Sequence, residues 1–277
     1  MEPSKLTKEH SAWSPSKTGT AEHCAYRFNC TYINKPEGYK YRNNSDALVG
    51  IAIHKVLEMS LMGKQPAVAM RMVVAGNPED PESPYTAEES DRIYDMLPNV
   101  DDFISKMRRY TTKHPCFPPL LERKFGVTTE GKNCRFFGDD VFMRGVVDYA
   151  LLFKDNTTAL ILDHKSGAAT EDISKFELQF DTYKLLLKAK YPKLRRIKVG
   201  INFIRDGEIV MEKDNCNVVD IVPLRNKVIE AVNKASVNLV DLNVTNKGPL
   251  CKWCNYQFMC PALVKTNGKT KEGDTKG

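Results

Sequence analysis

Apolar positions recur at helical spacing in ALVGIAIHKVLEMSLMG, where Leu48, Ile51, Val56, Leu57 and Leu61 fall near one stripe and Gly63 can end the helix. NVDDFISKMRRYTTKH repeats the pattern, with Asp101 and Asp102 in its first turn and its basic residues late, as the helix dipole favours. The period then changes to that of strands. LLERKFGVTT, FMRGVVDYALLF and ALILDHK are rich in Val, Leu, Ile and Phe, and the KDNTT that joins the last two is turn-forming, so consecutive antiparallel strands are expected. ISKFELQFDTYKLLLKAKYP returns to helical spacing and stops at Pro192; RIKVGINFI makes another strand, and VPLRNKVIEAVNKASVNLV a last amphipathic helix. Helix, three strands, helix, strand predicts an α/β core around a mixed sheet, with extra helices at both ends. Between Gly63 and Pro98 the prolines, Gly76-Asn77 and PEDPESP break any long element, so 63–98 reads as an insertion carrying at most short helices. The stretch before about Asp46 mixes polar residues with Tyr26, Phe28, Tyr32, Tyr39 and Tyr41 and has weak periodicity. The tail, 265–277, almost lacks apolar residues and is expected to be disordered.

At 277 residues the chain can bury a proper core, and 42% hydrophobic with 27% charged residues is the composition of a soluble globular protein. No apolar run approaches the roughly 18 residues that span a bilayer, and MEPSKLTKEHSAW has no apolar signal core. The expected location is therefore the cytoplasm, or the host cytoplasm for a viral protein, with no membrane partner. In a reducing compartment the eight cysteines point to metal binding or catalysis rather than disulfides. Cys251, Cys254 and Cys260, in CKWCNYQFMC, offer three thiolates at C-x2-C-x5-C spacing, one ligand short of a tetrahedral site or a cubane. Cys30, Cys116, Cys134 and Cys216 are scattered and read as small core residues. A redox protein built on C-x2-C is a poor reading, because it leaves Cys260 unexplained. The net charge of +6 is modest, but SKMRRYTTKH and KLLLKAKYPKLRRIK are basic, which suits either a polyanionic partner or a solvated face. There is no Walker A sequence, and so no ATP motor in these residues.

Asp148 lies in the second strand and Asp163 near the end of the third, and a hairpin sets such strands roughly 5 Å apart. Two carboxylates at matched depth can hold one divalent cation. Lys165 follows Asp163 by two residues and shares its face, so an ammonium stands beside the acidic pair, where it can orient water or stabilise charge on a phosphate. An isolated D-x-K is ordinarily an exposed ion pair at a strand end. Here ALIL precedes Asp163, an interior setting costly for a carboxylate without a cation or partner, and Gly145 before Asp148 permits close approach of backbone or ligand. His54, on the first helix, reads either as a core histidine or as a nitrogen ligand for Mn²⁺ or Mg²⁺. Gln179 and Tyr183 stand i,i+4 on one helix face, open to core packing or to gripping a phosphate or base beside the hairpin.

In that order, GIAIHKVLE, RGVVDYALLF, LILDHKSG and QFDTY resemble the G-x-x-x-H, G-x-x-D, D-x-K and Q-x-x-x-Y motifs of the RecB-type branch of the PD-(D/E)xK nuclease superfamily, over roughly Ser11 to Pro261. The resemblance implies a restriction-endonuclease-like α/β fold, a central mixed sheet flanked by helices, and a Mg²⁺- or Mn²⁺-dependent DNA nuclease. It implies Asp148, Asp163 and His54 as metal ligands, with the His164 carbonyl near the metal, Lys165 as the catalytic lysine, and Gln179 and Tyr183 steadying Lys165 and the DNA. Within the branch, the iron-sulfur nucleases, such as the AddB nuclease domain and the CRISPR-associated exonucleases, carry one cysteine before the core and three after it. Cys24 matches the first position, with Cys30 a nearby competitor, so a 4Fe-4S cluster on Cys24, Cys251, Cys254 and Cys260 would clasp the two ends; zinc on the same thiolates is the alternative. The implied organisation is a cysteine-clasped iron-sulfur subdomain, 1–46 and 241–264, around a nuclease core, 47–240. The implied substrate is single-stranded DNA or duplex ends in repair, recombination or processing, with a helicase, recombinase or CRISPR adaptation proteins as possible associates. The rival is a catalytically inactive, metal-stapled DNA-binding or recombination accessory protein, against which the intact Asp148, Asp163 and Lys165 argue.

Overall fold

A computed structural model describes residues 12–37, 43–76, 85–213 and 220–267. In chain order the helices and strands are α1 (Pro15–His23), α2 (Ala25–Phe28), α3 (Ser45–Leu61), α4 (Pro66–Ala75), α5 (Ala87–Tyr94), α6 (Leu97–Lys113), β1 (Leu120–Val127), β2 (Asn133–Cys134), β3 (Met143–Leu152), β4 (Thr158–Lys165), α7 (Glu177–Lys190), β5 (Arg196–Phe203), β6 (Glu208–Met211), α8 (Ile221–Val237) and α9 (Pro261–Asn267). Among the described residues no helix is long and apolar enough to cross a membrane.

The chain divides into two compact units, Asn43–Val228 and a second made of Met1–Arg42 with Ile229–Gly277. The larger holds a six-stranded mixed sheet of order β2-β1-β3-β4-β5-β6, in which only the β4–β5 pair is parallel. The three expected strands are β1, β3 and β4, paired antiparallel as their short connections require. Two strands, β2 and β6, were not foreseen. Each is four residues or fewer, too short for a period of two to show. A helical connection separates the parallel pair, the usual requirement for a crossover.

Helix α3 begins at Asn44, whose side chain accepts the Ala47 N–H at 2.9 Å, and Asp46 stands in its first turn. Its buried face is Val49, Ala52, Ile53, Val56 and Leu57, rotated from the expected stripe, because Ile51 turns to a pocket. The segment 63–98 is more than a loose insertion. It holds the ten-residue α4 and eight-residue α5, and Met70, Val73 and Ile93 join the core beneath α3 and α6. Pro66 occupies the first turn of α4, and Thr86 with Glu89 closes a capping box on α5, so residues that punctuate the sequence start helices here. PEDPESP lies outside the described residues, as does 268–277 of the tail; residues 261–267, which include the first of the expected tail, form α9.

In the smaller unit the weakly periodic start of the chain is helical, α1 and α2 followed by a π-turn, Asn29–Ile33. The two ends of the chain meet there by direct hydrogen bonds. The Tyr26 N–H donates to the Val244 carbonyl (3.0 Å), the Tyr26 hydroxyl to the Met259 carbonyl (3.0 Å) and the Tyr256 hydroxyl to the Cys30 carbonyl (3.2 Å).

Candidate metal centre and cysteine cluster

The strand register places three carboxylates on one line across the sheet. Leu121 pairs with Tyr149 and Arg123 with Val147, so Glu122 stands opposite Asp148; Tyr149 pairs with Leu162, so Asp148 stands opposite Asp163. The strands are irregular at this level. Glu122 has a φ of 45°, a left-handed conformation that costs a non-glycine residue about 1–3 kcal/mol and therefore needs support from its surroundings. The side-chain alternation of β3 also slips: Gly145 faces Tyr183 and Leu186 of α7, whereas Tyr149, four residues on, packs on Phe103 of α6. Even spacing should put both on one face.

The irregularity turns Glu122 and Asp148 toward His54. Its Nδ1 lies 3.3 Å from Glu122 Oε1 and 3.6 Å from Asp148 Oδ2, and its Nε2 lies 2.9 Å from the His164 carbonyl oxygen. A carbonyl only accepts, so Nε2 carries a proton; with carboxylates at Nδ1 as well, the imidazolium is favoured. Burial pulls the His54 pKa down, but the Glu122 hydrogen bond and the Asp148 and Glu122 charges prevail and raise it. Asp148 is pushed up by burial and by the Asp163 carboxylate, against the lowering influence of His54 and of the His164 N–H that donates to it at 2.8 Å. Among the described residues, His54, Glu122 and Asp148 form the one group of three whose ligand atoms lie within 4.8 Å of one another. A buried carboxyl that holds its proton above its ordinary range, with a second carboxylate and an imidazole beside it, makes a donor set suited to a divalent cation.

Of the expected ligands, His54 and Asp148 lie in this group, and Asp163 stands at its margin, engaged by other partners. Asp163 Oδ1 accepts from Gln179 Nε2 (2.8 Å) and from the Tyr183 hydroxyl (3.0 Å), while Gln179 also donates to Tyr183 (2.8 Å). Its Oδ2, buried, meets the Lys165 ammonium at 2.6 Å. The six expected residues thus fall into two linked sets, His54 with Asp148 and Asp163 with Lys165, Gln179 and Tyr183, joined by the repulsion between Asp148 and Asp163. Glu122 was missed from the sequence. In LLERKF it looks like a solvated strand glutamate, and the one signal available was its place in a strand bound to pair with Asp148. The His164 ring is fully buried against Phe103 (5.2 Å between centroids), with Nδ1 facing the Asn202 amide at 3.1 Å, and burial holds its pKa well below the usual range. A pocket of about 650 Å³ opens over this group, lined by the Gly50, Ile51 and His54 face of α3 and by Glu122, Lys165 and Ser166.

In the smaller unit Cys24 ends α1 and caps α2, its sulfur accepting the Arg27 N–H at 3.5 Å. Cys251, Cys254 and Cys260 lie on successive tight turns, each closed by a three-residue hydrogen bond: Cys254 N–H to Cys251 O, Gln257 to Cys254 and Cys260 to Gln257. Cys254 and Cys260 each end a turn in extended backbone, so the chain is redirected at both. The Gly248 N–H donates to the Cys251 sulfur at 3.4 Å. Burial first, then the nearby thiols of Cys30, Cys260 and Cys24, push Tyr26 up to about 12; burial and the Cys254, Cys24 and Cys260 charges raise Cys30 against the lowering Tyr26 hydrogen bond. Cys30 is therefore a buried member of this neighbourhood rather than an isolated core residue. The seven described cysteines are free thiols, and Cys216 lies outside the described residues. Reduced thiols that already accept backbone N–H groups are chemically suited to an iron-sulfur cluster or zinc.

No curated protein matches the chain. A solved structure titled "Crystal structure of SSO0001" is similar over 77% of this chain and 95% of that one, at 13% identity and a TM-score of 0.34. The family model described as the PD-(D/E)XK nuclease superfamily matches residues 12–261, which takes in the sheet, the carboxylate line and the three C-terminal cysteines. With that match over most of its length, the chain belongs to the PD-(D/E)XK nuclease superfamily, whose members are metal-dependent nucleases.

Proposed function

We propose that the protein is a Mg²⁺- or Mn²⁺-dependent deoxyribonuclease, an exonuclease on single strands or duplex ends that serves DNA repair, recombination or processing. The observation that carries this reading is the level line of Glu122, Asp148 and Asp163 with His54 on one side and Lys165 on the other, all in or beside one open pocket. His54, Glu122 and Asp148 would hold the cation, and Asp163 would join them through an oxygen it now shares with Lys165. A bound cation supplies Lewis-acid stabilisation of the phosphate and a water of lowered pKa. Lys165, one third exposed and fixed by Asp163, donates to the phosphate oxygen that gains charge. Gln179 and Tyr183 hold Asp163 in the orientation that serves Lys165.

The smaller unit is read as a cysteine-clasped subdomain in which Cys24, Cys251, Cys254 and Cys260 ligate a 4Fe-4S cluster. Bound there, the cluster is a structural staple. Anaerobic purification with a visible spectrum and an iron and sulfide assay tests it; a colourless protein with one zinc per chain overturns the cluster and leaves the nuclease standing.

For the nuclease itself, end-labelled single-stranded and duplex DNA is incubated with Mn²⁺, with and without chelator. Chelator-sensitive degradation is expected, lost in Asp163→Ala and Lys165→Ala variants that remain folded by circular dichroism. Undegraded DNA of every form returns the chain to a DNA-binding accessory role, and cleavage that survives both substitutions overturns the assignment of this site.

A further inference from the structure

Beyond the pocket, β1 and β3 present side chains that the proposed reaction does not use. Phe136 and Phe137 follow β2, and their rings meet edge to face, 4.8 Å apart at 81°. Phe137 is 75% exposed. The Lys124 ammonium lies 5.7 and 5.8 Å from the two ring centroids, and the Arg144 guanidinium 5.0 and 5.5 Å. Lys124 pairs with Val146, and Gly126 with Arg144. Gly145 faces α7, so Arg144 and Val146 face the other side, and Lys124 opposite Val146 shares it. That is the face opposite α7. Glu122, in the pocket wall, precedes Lys124 by two residues, about 7 Å of strand.

Two aromatic rings at the surface, clasped by two cations on neighbouring strands, put π faces and positive charge in one place. Single-stranded nucleic acid asks for that combination, since bases stack on rings and phosphates pair with flexible cations. A protein-docking face would be depleted in charge at its centre. A cation over an exposed ring is held more weakly than a stacked base, so an arriving base can displace Lys124 and Arg144 from the rings toward the flanking phosphates.

We infer that Phe136, Phe137, Lys124 and Arg144 form a stacking platform that holds unpaired DNA beside the acidic pocket. The inference rests on the DNA reading above and adds to it a subsite that favours single strands over intact duplex. The test measures fluorescence anisotropy of 5′-labelled oligo(dT), and of an abasic oligomer of equal length, without divalent cation. Phe137→Ala should weaken oligo(dT) binding roughly tenfold, Phe137→Tyr should retain it, and the abasic oligomer should bind wild type and Phe137→Ala alike. Arg144→Gln should reduce the salt dependence by about one phosphate contact. Equal oligo(dT) affinity in wild type and Phe137→Ala overturns the platform, as does a wild type that binds no oligo(dT). An altered sedimentation coefficient in Phe137→Ala with unchanged oligo(dT) affinity also overturns it, and assigns the rings to a contact between copies. A wild type that binds through Phe137 but cleaves no DNA with Mn²⁺ keeps the platform and removes the nuclease reading.

Discussion

Asp163 has both oxygens committed, one to Gln179 and Tyr183, the other to Lys165. On the proposed nuclease reading Gln179 acts through Asp163, and Gln179→Ala should lower the single-turnover cleavage rate roughly 10–100-fold, the usual cost of losing a group that orients a metal-site residue. Glu122 belongs to the donor set itself. Its loss should weaken Mn²⁺ binding by about tenfold or more, read from free Mn²⁺ in an electron paramagnetic resonance titration of Glu122→Ala. The same carboxylates explain a pH effect. In the metal-free protein burial and the Asp163 charge push Asp148 up to about 7, and, against its burial, the Glu122 hydrogen bond and the Asp148 charge push His54 up to about 9. A cation binds the deprotonated forms, so it must displace protons, and its affinity should rise with pH across the range from about 7 to 9. Titration calorimetry with Mn²⁺ at pH 7 in two buffers of different ionisation enthalpy should show net proton release; equal heats in both would contradict the raised proton affinity of His54 and Asp148.

Strand β3 carries the site because of what packs behind it. A Cβ at Gly145 would come within 3.0 Å of Leu186 and 3.5 Å of Tyr183, so the glycine admits α7 rather than a ligand. Gly145→Ala should cost about 1–3 kcal/mol of stability and tilt the helix that carries Gln179 and Tyr183, lowering activity as well. Helix α3 is anchored in a different way. Ile53 is fully buried in the core that contains Phe103 and Tyr149, next to His54 in sequence. Ile53→Ala should cost about 2–5 kcal/mol in urea unfolding, with the slope m unchanged. The identity of α3, β1, β3, β4, α7 and β5 was legible because each is long enough for its apolar period to show. The short β2 and β6 were not, and two prolines of 63–98, Pro66 and Pro98, sit in the first turns of α4 and α6.

Across the molecule, the N-terminal and C-terminal segments form one unit through Tyr26, Tyr256 and their backbone partners. The proposed cluster would add to a junction the protein already makes. Cys251→Ser should strip iron and sulfide, and the segment around Cys24 should become cleavable in limited proteolysis along with the C-terminal turns. Iron loss with an N-terminal segment as resistant as before would show that Cys24 is the wrong partner.

Sequence alone determined the α/β class, the order of the main elements and the residues of the D-x-K and Q-x-x-x-Y sets, because periodicity and short spacing are local properties of a chain. Its eight cysteines also marked a metal-binding possibility, without saying which thiols meet. Tertiary structure decided that Glu122 stands level with Asp148, that the alternation of β3 slips between Gly145 and Tyr149, and that Cys30 joins the other thiols. Each of these depends on register or on contacts between distant segments. A shift of one residue in pairing reverses a strand's faces, so no window of sequence carries that information by itself.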